Sequence, residues 1–122
     1  MTTLKDKAIN LFKLIEQGKT IEAMEKYYDE NVTIQENDAP ARTGKLLNLL
    51  NENDNIKKVK SIDARLKSYA INEDAEVIFS EWDFRFANLD GSITRLEEVS
   101  VQHWANGKIV HERFYYQNFK KM

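Results

Sequence analysis

The chain is predicted to fold as an α+β domain, with a helical first half packed on one face of a mostly antiparallel sheet. Three observations carry that prediction. Apolar residues recur at helical spacing in the first half, and from Val59 onward they recur at every second position. Two dipeptides of hairpin type, Asp90-Gly91 and Asn106-Gly107, then punctuate the second half.

The elements follow in order. Leu4, Ala8, Leu11, Phe12 and Ile15 lie on one helical face, and Gly18 stops that helix. A second, shorter helix starts near Thr20, a residue suited to capping it, and carries Ile21, Met24, Tyr27 and Tyr28. "NVTIQE" alternates, with Val32, Ile34 and Glu36 on one face, and reads as a short strand. After the loop at Pro40, Thr43 can cap a third helix bearing Leu46, Leu47, Leu49 and Leu50. Ile62, Ala64, Leu66 and Ser68 mark the first long strand, "NED" (72–74) a turn, and "EVIFSEWDFRFA" the second long strand.

Two-residue loops at Asp90-Gly91 and Asn106-Gly107 would set the register of the remaining strands. Leu89 would pair with Ser92, Trp82 with Val99, and His103 with Val110. One face then carries Ile78, Ser80, Trp82, Phe84, Phe86, Arg95, Glu97, Val99, Val101, His103, Val110, Glu112, Phe114 and Tyr116. The other carries Glu81, Asp83, Arg85, Glu98, Ser100, Gln102, His111, Arg113 and Gln117, with Trp104 and Tyr115 as apolar exceptions. A bulge would swap these assignments, because the side-chain period is two.

Composition bounds the function. The 122 residues, 42% hydrophobic, suit a single folded domain over 1–122. Lys and Arg (18) nearly balance Asp and Glu (20), which argues against a nucleic-acid partner. With no cysteine there is no disulfide, thiol nucleophile or cysteine-based metal site. The charged, amphipathic N-terminus is neither a signal peptide nor a membrane span, so a cytoplasmic protein without a membrane partner is expected.

"YYDENVTIQENDAPARTG" (27–44) and "HWANGKIVHERFYYQ" (103–117) resemble the nuclear transport factor 2-like (NTF2-like) superfamily. Within it they look like the SnoaL-like (polyketide cyclase-like) and ketosteroid isomerase-like branch. The resemblance implies a cone-shaped fold, three N-terminal helices on a curved, mostly antiparallel sheet, often dimerised through that sheet. It implies no cofactor and a pocket for a small apolar or carbonyl-containing molecule. It also places Glu36 at the general base of isomerase-like members, while Leu11 and Val101 stand where oxyanion donors would be and Gln117 where a cyclase Asp would be.

The residues themselves offer three clusters. Glu36, pointing inward among aromatic rings, would have a raised pKa suited to taking a proton next to a carbonyl; alternatively "ENDAP" is a solvated loop. His103 and Glu112, one diagonal step apart on adjacent strands, could form an acid–base couple or a satisfied polar pair. Metal binding there is not expected, because His111 would face the opposite way. Arg95 could hold an anionic ligand group or lie at the rim with its head in water. Trp82, Phe84, Phe86, Val99, Val101, Phe114 and Tyr116 would line either a filled core or an open apolar pocket. Two functions follow: an isomerase, cyclase or dehydratase using Glu36 with His103 and Glu112, or a non-catalytic ligand carrier or dimeric interaction module.

Overall fold

The computed structural model describes residues 2–122. Its elements run α1 (Leu4–Glu16), α2 (Thr20–Tyr27), β1 (Tyr28–Glu36), β2 (Arg42–Thr43) and α3 (Lys45–Lys57). The long strands β3 (Val59–Asn72), β4 (Val77–Asn88), β5 (Ile93–Ala105) and β6 (Lys108–Tyr116) follow, then β7 (Lys120–Lys121). The α+β arrangement is therefore as predicted.

Local chemistry explains the helix ends. Thr3 and Asp6 form a reciprocal capping box at the start of α1, each bond 3.1 Å long. At its end Gly18, at φ +78°, lets Lys19 N–H reach Leu14 C=O and its own N–H reach Ile15 C=O. Two expected caps differ. Lys19, not Thr20, occupies the N-cap of α2, and Gly44, not Thr43, that of α3.

The sheet order is β2-β1-β6-β5-β4-β3, with β7 pairing with β5 where β6 has ended. All neighbours are antiparallel except β1 and β6, which run parallel. The helices cover one face, and the core there includes Ala8, Leu11, Phe12, Met24, Val32, Ile34, Ile78, Trp82 and Ile109. Burying a side chain such as Leu11 or Ile78 is worth roughly 2 kcal/mol.

The predicted register fails at one turn and is restored at another. The β4–β5 loop has three residues, Leu89-Asp90-Gly91: Asn88 N–H bonds Ser92 C=O at 2.8 Å, and Gly91 sits at φ +89°. Asp90 stabilises the longer loop by accepting bonds from Ser92 N–H (2.9 Å) and Oγ (2.6 Å). Trp82 consequently pairs with Glu98 instead of Val99, and every side chain of β5 changes face. Asn106-Gly107 does form a two-residue turn, both residues at positive φ, with Ala105 opposite Lys108. A bulge then follows: Trp104 pairs with Ile109 and His103 with His111, so that Val110 is the extra residue. This second shift cancels the first, and Glu112, Phe114 and Tyr116 face inward as predicted.

Five residues expected together on the inner face thus lie on the outer one: Arg95, Glu97, Val99, Val101 and His103. Glu98, Ser100, Gln102 and Trp104 take their place inside. A further bulge at Lys67 turns Ser68 outward and Tyr69 inward, where its ring lies 5.3 Å from that of Phe12. Among the described residues no helix is long and apolar enough to cross a membrane.

Candidate functional site

The helices and the inner face of the sheet line a partly open cavity of about 730 Å³. The aromatic stripe on β4 is therefore not simply filled core: Trp82, Phe84 and Phe86 form one wall, their rings stacked at centroid separations of 5.5 and 6.1 Å. Phe119, just beyond β6, packs on Phe86 and Tyr116 and extends this wall.

The facing wall is polar and comes from α3. Asn48, Asn51, Glu52 and Asn55 recur at intervals of three and four and line the cavity. Three of the four leucines of α3 point away instead, with Leu46, Leu47 and Leu50 at 70%, 51% and 53% exposure, while Leu49 packs against the core. Asn48, only 2% exposed, explains the orientation. Its amide donates to the carbonyls of Arg42 (3.1 Å) and Gly44 (2.8 Å), and its Oδ1 accepts from Arg42 Nε at 3.2 Å. Turning the leucines inward would strand that buried amide.

Glu36 lies at the end of β1 and lines the cavity, as its alternation with Val32 and Ile34 predicts. It is not isolated among aromatic rings, however. Arg42 Nη1 pairs with Glu36 Oε2 at 2.8 Å, and Tyr116 Oη donates to Oε1 at 3.2 Å. Burial and Glu36 push the Tyr116 phenol up to about 12, so it remains a donor.

Glu98 stands between Trp82 and Tyr116 in the same cross-strand row. It lines the cavity with no hydrogen-bond or ion-pair partner among the described residues. Burial, reinforced by the charges of Glu112, Glu36 and Glu52, pushes its carboxyl up to about 8. Glu52 is also raised, by burial and then by Glu36 and Glu112, with Arg42 opposing.

Glu112 forms the cavity floor and is 3% exposed. It accepts from the hydroxyl of Tyr28, from Ser100 Oγ (2.7 Å) and from Gln102 Nε2 (2.7 Å). Burial raises its carboxyl while these three bonds pull the other way. Its expected partner is absent, because His103 is exposed on the opposite face of the sheet. The expected separation of the two histidines is also corrected: His103 and His111 are cross-strand neighbours on one face, their rings 5.7 Å apart.

Arg95 is likewise remote from the cavity. It makes a two-pronged contact with Asp83, both bonds 3.0 Å, and its Nη2 lies 3.7 Å from Glu97. Lys67 extends this outer network to Glu97 at 3.2 Å. The hydrogen bonds from Arg95 hold Asp83 below the usual carboxylate range.

Of the residues singled out from the sequence, Glu36, Trp82, Phe84, Phe86, Glu112, Phe114 and Tyr116 share the cavity, while Arg95, Val99, Val101 and His103 do not. Tyr28, Asn48, Glu52 and Glu98 were missed. The polar stripe 48–51–52–55 was a readable signal for two of them; Glu98 was hidden by the loop length. Among the described residues no three or more His, Asp or Glu side chains are grouped to hold a metal ion. The cavity thus brings an ion-paired carboxylate, Glu36, and an unpaired carboxyl, Glu98, beside an aromatic wall.

No protein-family model and no curated protein matches the chain. Solved structures do match over nearly its whole length. A Mesorhizobium loti protein described as a SnoaL-like polyketide cyclase is 23% identical, with TM-score 0.69 over 93% of this chain and 99% of that one. The epoxide hydrolase/cyclase-like enzyme SalBIII, of pyran ring formation in salinomycin, is 15% identical, with TM-score 0.80 over 98% and 95%. An NTF2-like protein of unknown function from Burkholderia pseudomallei is 11% identical, with TM-score 0.81 over 96% and 92%. Identities this low carry the fold alone: the chain has the NTF2-like, SnoaL-like fold.

Proposed function

We propose that the protein is a cofactor-independent acid–base enzyme acting on a small, apolar, carbonyl-containing molecule held in the cavity. One observation carries the reading: Glu36 and Glu98 flank Tyr116 in opposite electrostatic settings. Glu36 is ion-paired with Arg42, whereas Glu98 has no cation beside it and is pushed up to about 8. An ion-paired carboxylate and an unpaired carboxyl pushed up to about 8 are suited to serve as base and acid.

In this reading Glu36 takes a proton from the carbon next to the carbonyl. The C–H electron pair becomes the C=C bond of an enol, and the carbonyl oxygen receives the proton of Glu98. In a β,γ-unsaturated substrate the resulting dienol returns its O–H proton to Glu98 while Glu36 delivers its proton to the γ-carbon, completing an isomerisation. In a β-hydroxy substrate Glu36 delivers that proton to the departing hydroxyl, which leaves as water as the carbonyl re-forms, completing a dehydration. The same two groups could deprotonate a hydroxyl and protonate the oxygen it displaces, as ring closure requires, and the likeness to an epoxide hydrolase/cyclase-like enzyme supports including that reaction. With Leu11 apolar and Val101 on the outer face, Glu98 would supply the proton to the substrate oxygen. The apolar ring system would lie against Trp82, Phe84 and Phe86, its oxygens toward α3 and β5.

Exchange of the α-protons of 2-tetralone in D₂O, followed by NMR, tests this without knowledge of the natural reaction. Wild type should accelerate exchange, and Glu36→Gln should lower the rate by about 10²-fold or more. No acceleration by folded wild type overturns the enzyme reading and leaves a ligand-binding or interaction module. The homodimer is part of the same proposal. Its seat would be the outer face, where Phe79, Val99 and Tyr115 are exposed, and light scattering of the eluted protein would test it.

A further inference from the structure

The chain has only two histidines, and the fold brings them together away from the cavity. They sit directly opposite one another on β5 and β6, with ring centroids 5.7 Å apart and ring planes at 44°. Uninterrupted pairing from the Asn106-Gly107 turn would set His103 opposite Val110 and send His111 to the other face. The bulge at Val110 creates the pair, and re-aiming a side chain is what a bulge of this kind does.

A third residue organises the pair. β1 runs parallel to β6, and Thr33 lies beside His111 in that pairing. Thr33 Oγ1 and His111 Nδ1 share a hydrogen bond of 2.6 Å. With Nδ1–H donating to the hydroxyl, the imidazole is fixed in orientation and Nε2 keeps its lone pair free. That is how an outer hydrogen bond prepares a histidine for metal ligation. His103 is exposed and makes no hydrogen bond among the described residues that would occupy its ring. Arg113, the nearest cation on β6, is engaged elsewhere: it donates to Asn37 C=O at 3.1 Å and to Asp38 Oδ1 at 3.1 Å.

We propose that His103 and His111 form a two-imidazole site for a borderline divalent ion, copper(II), nickel(II) or zinc(II), with Thr33 as the positioning residue and water completing the coordination. An ion about 2 Å from each ligating nitrogen fits between rings at this separation. Imidazole without a neighbouring carboxylate selects this class of ion over magnesium or calcium. The site is independent of the cavity and of the reaction proposed for it.

Copper(II) titration of the full chain, read by calorimetry and by electron paramagnetic resonance, tests the proposal. Wild type should bind with nitrogen splitting from two imidazoles, and magnesium should not compete. His103→Ala, at an exposed position, should weaken binding at least about tenfold and leave one imidazole in the spectrum. Thr33→Val should weaken it by about tenfold or more, and Thr33→Ser should restore it. Equal affinity of wild type and His103→Ala, or a single imidazole in the wild-type spectrum, would overturn the site.

Discussion

Glu98 stands directly opposite Tyr116 across the β5–β6 pair, and the Tyr116 hydroxyl reaches Glu36. A carboxyl pushed up to about 8 and a carboxylate held by a guanidinium thus share one phenol as neighbour. If Glu98 supplies a proton or hydrogen bond to substrate oxygen, only its neutral form serves. The 2-tetralone exchange rate should therefore fall about tenfold per pH unit above pH 8. Glu98→Gln, which keeps a donor but no transferable proton, should be slower at neutral pH and should lose that limb. A wild-type profile with no fall above pH 8 would separate Glu98 from the chemistry.

The same group predicts how stability depends on pH. The folded-state pKa of Glu98 is raised above its unfolded value, so the folded state holds the extra proton between about pH 4.5 and 8. Its contribution is fully present below the unfolded pKa and is lost as pH rises through about 8. The raised Glu52 and Glu112 act in the same direction. Thermal unfolding of wild type should move several degrees lower between pH 5 and 9, and Glu98→Gln should flatten that trend. Asp83 has the opposite sign. Its lowered pKa adds stability above the unfolded carboxylate range that disappears at lower pH, as its folded form protonates.

Asn48 should matter more than its position in a leucine-rich helix suggests. Asn48→Ala removes the side-chain donor to the carbonyls of Arg42 and Gly44, the latter keeping only the backbone N–H of residue 48, and should cost about 1–3 kcal/mol. It also loosens Arg42, and with it Glu36. Leu47→Lys, on the exposed face of the same helix, should change stability by no more than about 0.5 kcal/mol. Denaturant unfolding of both variants checks the orientation of α3. A larger loss at Leu47 would reverse it.

Much of this fold was legible because period and turn chemistry are local. The four long strands and Gly18 as a stop follow from neighbouring residues, whereas the inward face of β6 agrees because the bulge at Val110 offsets the longer β4–β5 loop. What was not legible depended on single-residue offsets. Asp90-Gly91 supports a two- or a three-residue loop equally well by composition; the choice falls to Asp90 bonding Ser92. That one residue moved Glu98 into the cavity and Arg95, Val99, Val101 and His103 out of it. The buried face of α3 is hard to read for another reason. Leucine abundance suggests burial, but a polar cavity lining buried Asn48 instead.

His103 and Glu112 offer a final discrimination between the expected and the observed register. With both residues on one face, one diagonal step apart, their substitutions would couple. In the structure they lie on opposite sides of the sheet: Glu112 is bound by Tyr28, Ser100 and Gln102, and His103 faces His111. Glu112→Gln should destabilise by about 1–3 kcal/mol, because a buried acceptor of three bonds is replaced by an amide that cannot accept them all. His103→Ala, at an exposed position, should cost about 0.5 kcal/mol or less. The double variant should equal the sum within about 0.5 kcal/mol. A coupling energy above about 1 kcal/mol in denaturant unfolding would place the imidazole beside the carboxylate, and so remove the bulge at Val110 and the histidine pair that depends on it.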